Sequence, residues 1–279
     1  MRWRLVLQLI CFGQALAAEP DVTRLTWQPG VPNFGGLSAI EVSADGLAFT
    51  ALSDRGLILS GTLTRDGEAL SGVILDRASQ LKDTRGRPVR SPLSDSEGLA
   101  VLDDGTILVA FESPTRIWSY DSPGAIPKEL PRPAWMKKTI HNKGLEAIAV
   151  SPDGTILTGT EIPSDGDFSL YSLGIDGEEV VTPLPASASF LLVGADVAAD
   201  GTVYLLERKL TLLGFQSRIR ALRGDQIREV FTSSPGEFDN LEGIATWRDQ
   251  DGRTRLTLIS DDNFLALQRT EIVEITLQD

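Results

Sequence analysis

Asp95-Ser96-Glu97-Gly98-Leu99-Ala100-Val101-Leu102-Asp103-Asp104-Gly105-Thr106-Ile107-Leu108-Val109-Ala110-Phe111-Glu112 is the stretch that decides the fold. It reads as an acid, an apolar strand, an Asp-Gly turn, a second apolar strand and a second acid. The turn returns at Asp45-Gly46, Asp153-Gly154, Asp200-Gly201 and Asp251-Gly252. The spacing is roughly 50 to 60 residues, in the range of propeller blades. Asp-Gly between two apolar runs predicts a hairpin with a type I′ turn, which needs positive φ at both central residues.

Before each turn lies a run of small and apolar residues, at 37–42, 98–102, 145–150, 192–198 and 241–247. After each comes another, at 47–52, 106–111, 155–160, 202–206 and 255–259. Such nearly continuous apolar runs fit strands covered on both faces. Third strands are predicted at 58–63, 117–120, 168–173, 218–222 and 271–275, and fourth strands at 72–75, 180–184 and 227–231. Pro123, Pro127, Pro131 and Pro133 obscure the fourth strand of the second blade, since proline cannot donate to a ladder. The last blade lacks its outer strand, and 22–27 can supply it and close the ring. The fold class is therefore all-β: a single β-propeller of five blades, with six open if 72–92 or 123–142 holds a degenerate blade. The segment 77–94 reads as a loop over one face.

Composition agrees. Glycine and proline number 26 and 15 and aromatics make up only 6%, which favours short strands and tight turns over long helices. A formal net charge of −13 leaves no basic footprint for nucleic acid. Arg2 and Arg4, the apolar run 5–12 and Ala15-Leu16-Ala17 form a signal peptide (residues 1–18), with cleavage expected near Ala17 or Ala18. That run is too short to span a bilayer. Cleavage removes Cys11, the one cysteine, so the mature domain, 19–279, has no disulfide and no thiol chemistry. Export without disulfides points to a periplasmic or secreted monomer.

The acids mark where chemistry belongs. Counted back from the turns, the first strands begin with Ser38, Glu97, Glu146, Val193 and Glu242. The second strands end with Asp54, Glu112, Glu161, Glu207 and Asp261. Both sets fall on the face opposite the Asp-Gly turns, around one axis. Carboxylates so crowded repel and are held at raised pKa unless a cation or arginine compensates. Ca2+, a hard cation with 6–8 oxygen ligands, suits Glu97, Glu146 and Glu242 with Asn142 and Asn240. Arg55 and Arg208 offer local pairing instead. The alternative is structural: acids capping backbone N–H groups or pairing with arginine between blades. His141, the one histidine, reads as a loop residue, and a cluster of histidines is excluded by number. No Gly-x-Ser-x-Gly elbow is present. Trp27, Trp118, Trp135 and Trp247 read as blade packing. Lys137-Lys138 and Arg85, Arg87 and Arg90 read as solvated loops that could hold an anionic ligand over the acidic face.

Several pieces in order carry a family resemblance. They are Gly35-Gly36-Leu37-Ser38 with Ser53-Asp54-Arg55-Gly56, Asp95-Ser96-Glu97-Gly98, Asn142-Lys143-Gly144-Leu145-Glu146, Leu206-Glu207-Arg208, and Asn240-Leu241-Glu242-Gly243 with Ser260-Asp261-Asp262-Asn263-Phe264. The chain resembles the phytase-like propeller family, whose members are called esterase-like activity of phytase proteins. The resemblance implies an exported propeller and hydrolysis of esters or phosphoesters. The face has few phosphate-binding lysines, unlike the calcium-dependent propeller phytases. Propeller lactonases, with a central Ca2+ held by Glu, Asn and Asp, are a second similarity.

Two functions follow. One is a divalent-cation-dependent hydrolase of small-molecule esters or phosphoesters, with Ca2+ on the axis, Asp54 or Asp261 as base, and Arg55 or Arg208 steadying an anionic substrate. The other is a non-catalytic binding or scaffold propeller with a structural cation or an acidic channel.

Overall fold

Five times the chain leaves an apolar strand through an Asp-Gly loop and returns beside it, and each pair is extended outwards by two further strands. The computed structural model describes residues 20–136, 144–163, 166–174, 179–186 and 189–278. The segment 1–18 that reads as a signal peptide, Lys137-Lys138, His141 and Asn142 lie outside the described residues. Among the described residues there is no helix, and so none that could cross a membrane. β1 (Asp21–Thr26) is set aside at first. Blade 1 is β2 (Leu37–Val42), β3 (Ala48–Ser53), β4 (Leu57–Asp66) and β5 (Ala69–Gln80). Blade 2 is β6 (Ser96–Val101), β7 (Ile107–Phe111), β8 (Arg116–Tyr120) and a two-residue β9 (Lys128–Glu129). Blade 3 is β10 (Leu145–Val150), β11 (Ile156–Thr160), β12 (Asp167–Leu173) and β13 (Glu179–Pro185). Blade 4 is β14 (Leu191–Val197), β15 (Val203–Thr211), β16 (Gly214–Arg223) and β17 (Gln226–Thr232). Blade 5 is β18 (Asn240–Arg248), β19 (Thr254–Asp261) and β20 (Glu271–Thr276), completed by β1, which runs antiparallel to β20 from Asp21↔Thr276 to Thr26↔Glu271. The ring therefore has five blades, and the N-terminal strand closes it as the sequence predicts. The segment 77–94 is less of a loop than expected: β5 runs on to Gln80, and Lys82 bridges Pro88.

The loops correct one expectation. Gly46, Gly105, Gly154, Gly201 and Gly252 have φ of 73°, 83°, 84°, 81° and 79°, but the aspartates before them do not enter the left-handed region. Gly105 N donates to Leu102 O at 2.8 Å, and Leu102 N donates to Thr106 O at 2.9 Å. This is a type I turn followed by one left-handed glycine, not type I′. The Asp104 carboxylate explains the choice: Oδ1 accepts the Thr106 N–H at 2.9 Å, and the aspartates at 45, 153 and 200 repeat that bond.

The core is five wedges rather than one centre. Each buried cluster joins two neighbouring blades, as Ala100, Leu108 and Ile117 of blade 2 meet Leu145 and Ile148 of blade 3. Trp27 and Trp118 are buried in two of these wedges, Trp247 is buried in blade 5, and Trp135 stacks on Tyr171 at 3.6 Å. At the closure, Arg65 of β4 grips Glu274 of β20 with both terminal nitrogens at 2.7 Å and lies 4.5 Å over the Trp247 ring.

The inner strands β2, β6, β10, β14 and β18 pack side by side around the axis. They approach so closely that a Cβ on Gly243 would come within 2.7 Å of Ile40 N. Towards the turn end, two carboxylates stitch these strands together. Asp196 accepts the Val197 and Thr246 N–H groups at 2.7 and 2.6 Å, and Glu41 accepts the Val101 N–H. Burial pushes Asp196 up to about 7. Burial first, then the Asp196 charge, raises Glu41 well above the carboxylate range.

Both acids thus keep protons when folded at pH values where the unfolded chain has lost them. Their contribution favours the fold most below about pH 4 and fades as pH rises towards and past 7. Glu41→Gln removes one member of the pair. It is expected to raise Tm by about 2 °C at pH 8, for roughly 1 kcal/mol, and to leave Tm unchanged at pH 4. Thermal melts at the two pH values check this, and an equal shift at both would refute it.

Candidate functional site

Each inner strand slips register at one residue near the face opposite the turns. The slips fall at Ser38, Glu97, Glu146, Val193 and Glu242, the five positions counted from the sequence. A β-bulge sets two residues against one and re-aims a side chain. Here it directs the five residues to the axis, where they line a cavity of about 10 Å³. That is room for about one water-sized sphere.

The outer set differs from its prediction at one place. Asp54, Glu112, Glu161 and Asp261 each follow the residue paired with the one just before the bulge; in blade 4 that position is Arg208. Glu207 lies one residue earlier and faces the other side of its strand, because side chains alternate. It is fully buried, bonded to Arg218 Nε at 2.6 Å and to Arg220. Glu207 is therefore structural, and the ring carries four acids and one arginine.

Arg208 occupies the blade 4 side. Its guanidinium lies 3.2 Å from Glu242 and 3.6 Å from Glu161. Asn240 Nδ2 donates to Glu242 at 2.7 Å, while the buried Asn240 Oδ1 has no partner. Burial pushes Glu242 up to about 8, partly offset by Arg208. Glu146 is raised by burial and then by Glu161. Asp261 is raised by burial, and its Oδ1 caps the loop by accepting the Asn263 N–H at 2.6 Å.

Among the described residues, no arginine forms an ion pair with the carboxylates of the blade 1 and 2 side of the ring. Glu97 is raised by burial, then by Glu146, Glu242, Asp95 and Asp54. Asp95, Glu97 and Glu112 each bring one carboxylate oxygen to within 4.8 Å of the others, an arrangement able to hold a metal ion. Glu97 thus groups with Asp95 and Glu112 while also facing Glu146 and Glu242 across the axial cavity, as expected. Asp95 could have been found: it is the acid that opens the quoted stretch, immediately before β6. Glu112 accepts the Gly144 N–H at 3.2 Å, and a Cβ on Gly144 would overlap it.

Beside this trio lies a cleft of about 390 Å³ whose lining includes Asp54, Arg55, Arg90 and Asp95. Burial first, then Asp261, pushes Asp54 up to about 7, and its buried Oδ1 has no partner. The loop from Asp262 to Phe264 is pinned by Asp262 Oδ1, which accepts Gly36 N–H at 2.9 Å, and Phe264 lies 3.3 Å under the Arg55 guanidinium. Arg90, read from sequence as a solvated loop residue, joins the cleft because β5 and the Lys82–Pro88 bridge fold its segment back.

The fold and the acidic end of the channel together define a five-bladed propeller with a carboxylate-ringed axial site. The family model described as phytase-like, esterase-like activity of phytase, matches residues 32–264, and the chain belongs to that family. No curated protein sequence matches the chain. Among solved structures, the chain is similar to the PQQ-bound aldose sugar dehydrogenase of Streptomyces coelicolor. The identity is 12%, over 92% of this chain and 99% of that one, with a TM-score of 0.50. A streptogramin B lyase matches at 14% identity, over 91% and 98% of the two chains, with a TM-score of 0.45. A putative gluconolactonase matches at 12%, over 94% and 95%, also at 0.45. At such identities the likeness is one of fold.

Removing the Glu207 charge strands two buried guanidinium groups. Glu207→Gln is expected to destabilise the fold by about 3 kcal/mol, read as a lower urea midpoint with an unchanged slope. A shift below a third of that would show that Arg218 and Arg220 do not depend on it.

Proposed function

We propose that the chain is an exported, divalent-cation-dependent hydrolase of small-molecule esters or phosphoesters, acting in the cleft beside Asp95. The observation that carries this reading is Asp54. Its carboxyl lines the cleft with one buried oxygen unpartnered and a pKa pushed to about 7. A base titrating near neutral pH is suited to taking a proton from water.

The donor set fits a hard cation. Asp95, Glu97 and Glu112 offer oxygen alone, which suits Ca2+ and not the nitrogen and sulfur preferred by zinc. Burial first raises Glu97 and Glu112, and the Asp95 charge adds to both; that repulsion is what a cation relieves. A bound Ca2+ would supply Lewis-acid polarisation of the ester or phosphoryl oxygen. The chain's own residues do the rest. Arg55, flat on Phe264, and Arg90 hold the negative charge of the substrate at the cleft mouth. Asp54 accepts the proton of the attacking water. Asp261 is the weaker choice of base, since its Oδ1 is committed to Asn263.

Arg208 favours a second reading, a non-catalytic binding or scaffold propeller. Its ion pairs compensate Glu242 and Glu161 without a metal, as a structural acidic channel would require.

Calorimetry of chelated protein with Ca2+ and a panel of p-nitrophenyl acetate, a lactone and p-nitrophenyl phosphate separate the two. Ca2+ binding is expected, with its heat lost in Glu97→Gln. Asp54→Asn is expected to lower kcat/KM about 100-fold or more while Ca2+ binding persists. Turnover of no ester in the Ca2+-loaded protein leaves the scaffold reading. Turnover indifferent to Asp54→Asn refutes the proposed base.

A further inference from the structure

The end of the propeller that carries the Asp-Gly turns holds a second cleft of opposite character. It lies between blades 4 and 5 and has a volume of about 610 Å³, larger than the 390 Å³ cleft beside Asp54. Its lining is cationic in a chain whose net charge is −13. Arg223 ends β16, Arg228 sits in β17 and Arg248 ends β18, so three strands from two blades deliver guanidinium groups to one cavity. They meet one carboxylate, Asp200. Arg223 reaches it at 3.6 Å and Arg248 at 3.3 Å, while among the described residues Arg228 forms no ion pair. Asp200 is itself held by the Thr202 N–H at 3.0 Å, so it orients the two arginines and leaves positive charge in excess.

The floor is built rather than accidental. Tyr204 is only 5% exposed, and its hydroxyl is hydrogen-bonded to Thr254, also buried. Asp200, Arg228 and Arg248 line the same cavity as Tyr204. Burial holds the Tyr204 proton in place, so the hydroxyl remains a donor at neutral pH. Guanidinium forks and a hydroxyl donor in a concave site are the recognition set for a phosphate group. The volume is that of a small-molecule site.

We propose that this cleft binds a phosphate-bearing small molecule, with Arg223, Arg228 and Arg248 gripping the phosphate oxygens above the Tyr204 hydroxyl. The site is separate from the acidic face and does not depend on the activity proposed there. The same chemistry occurs in a soluble phosphate compound and in a phospholipid headgroup. The lining is more polar than apolar and is concave, which favours the soluble ligand.

The test titrates the chain with pyrophosphate in EDTA, so that no metal bridges the anion to the acidic face. Binding with Kd on the order of 0.1 mM is expected. Arg228→Ala, which breaks no ion pair, and Arg248→Ala are each expected to weaken it at least tenfold. Lys128→Ala, at an exposed lysine of β9 with the same change of net charge, is expected to leave it unchanged. In a parallel arm the chain is spun with phosphatidylcholine vesicles with and without phosphatidic acid. Pelleting that needs both phosphatidic acid and Arg228 assigns the phosphate to a lipid. The proposal is overturned if neither probe binds, or if binding responds to Lys128→Ala as it does to Arg228→Ala.

Discussion

Everything in this molecule follows from how closely five inner strands must approach to close a ring. At that distance a Cβ on Gly243 would strike the backbone of the next strand, so the inner strands carry glycine and alanine where they meet. No hydrophobic core fits on such an axis. The apolar burial is displaced outwards into five wedges between blades, and the axis is left to backbone and to the side chains that bulges turn towards it.

Three of the five bulged side chains are glutamates, and three carboxylates cannot share so small a volume as free charges. The two sides of the acidic face resolve this differently. On the blade 4 side, Arg208 enters the ring and pairs with Glu242 and Glu161. On the blade 1 and 2 side, Glu97, Asp95, Glu112 and Asp54 gather without an arginine in the ring, and burial raises Glu97, Glu112 and Asp54. Uncompensated charge is the condition for cation binding and for a base that titrates near neutrality. The asymmetry, rather than the ring as a whole, is what makes one sector chemically interesting.

The opposite end shows the complementary solution. There Glu41 and Asp196 cap backbone N–H groups across inner strands, and the surplus arginine charge lies further out, between blades 4 and 5. The propeller is thus electrically two-faced despite its large negative net charge. Ring closure is secured at a third place, where Arg65 clamps Glu274 across the seam that β1 completes.

The sequence by itself pointed to five blades, with six left open until the sheets were seen, and it determined the closing strand and the positions of the bulged residues. All three follow from a repeat whose turns, apolar runs and acids keep a constant spacing, and a repeat is legible without coordinates. It also placed Asp54, Asp261 and Glu242 on one face. The turn type escaped it, because Asp104 caps a backbone N–H that only the folded loop presents. Glu207 escaped it because strand registers slip by single residues, and one step moves a side chain from the ring into the blade. The grouping of Glu97 with Asp95 and Glu112, the return of Arg90 over Asp54 and the arginine cleft on the turn face needed the tertiary structure. Each joins residues from different strands or blades, and no spacing along a chain reports how blades pack around an axis.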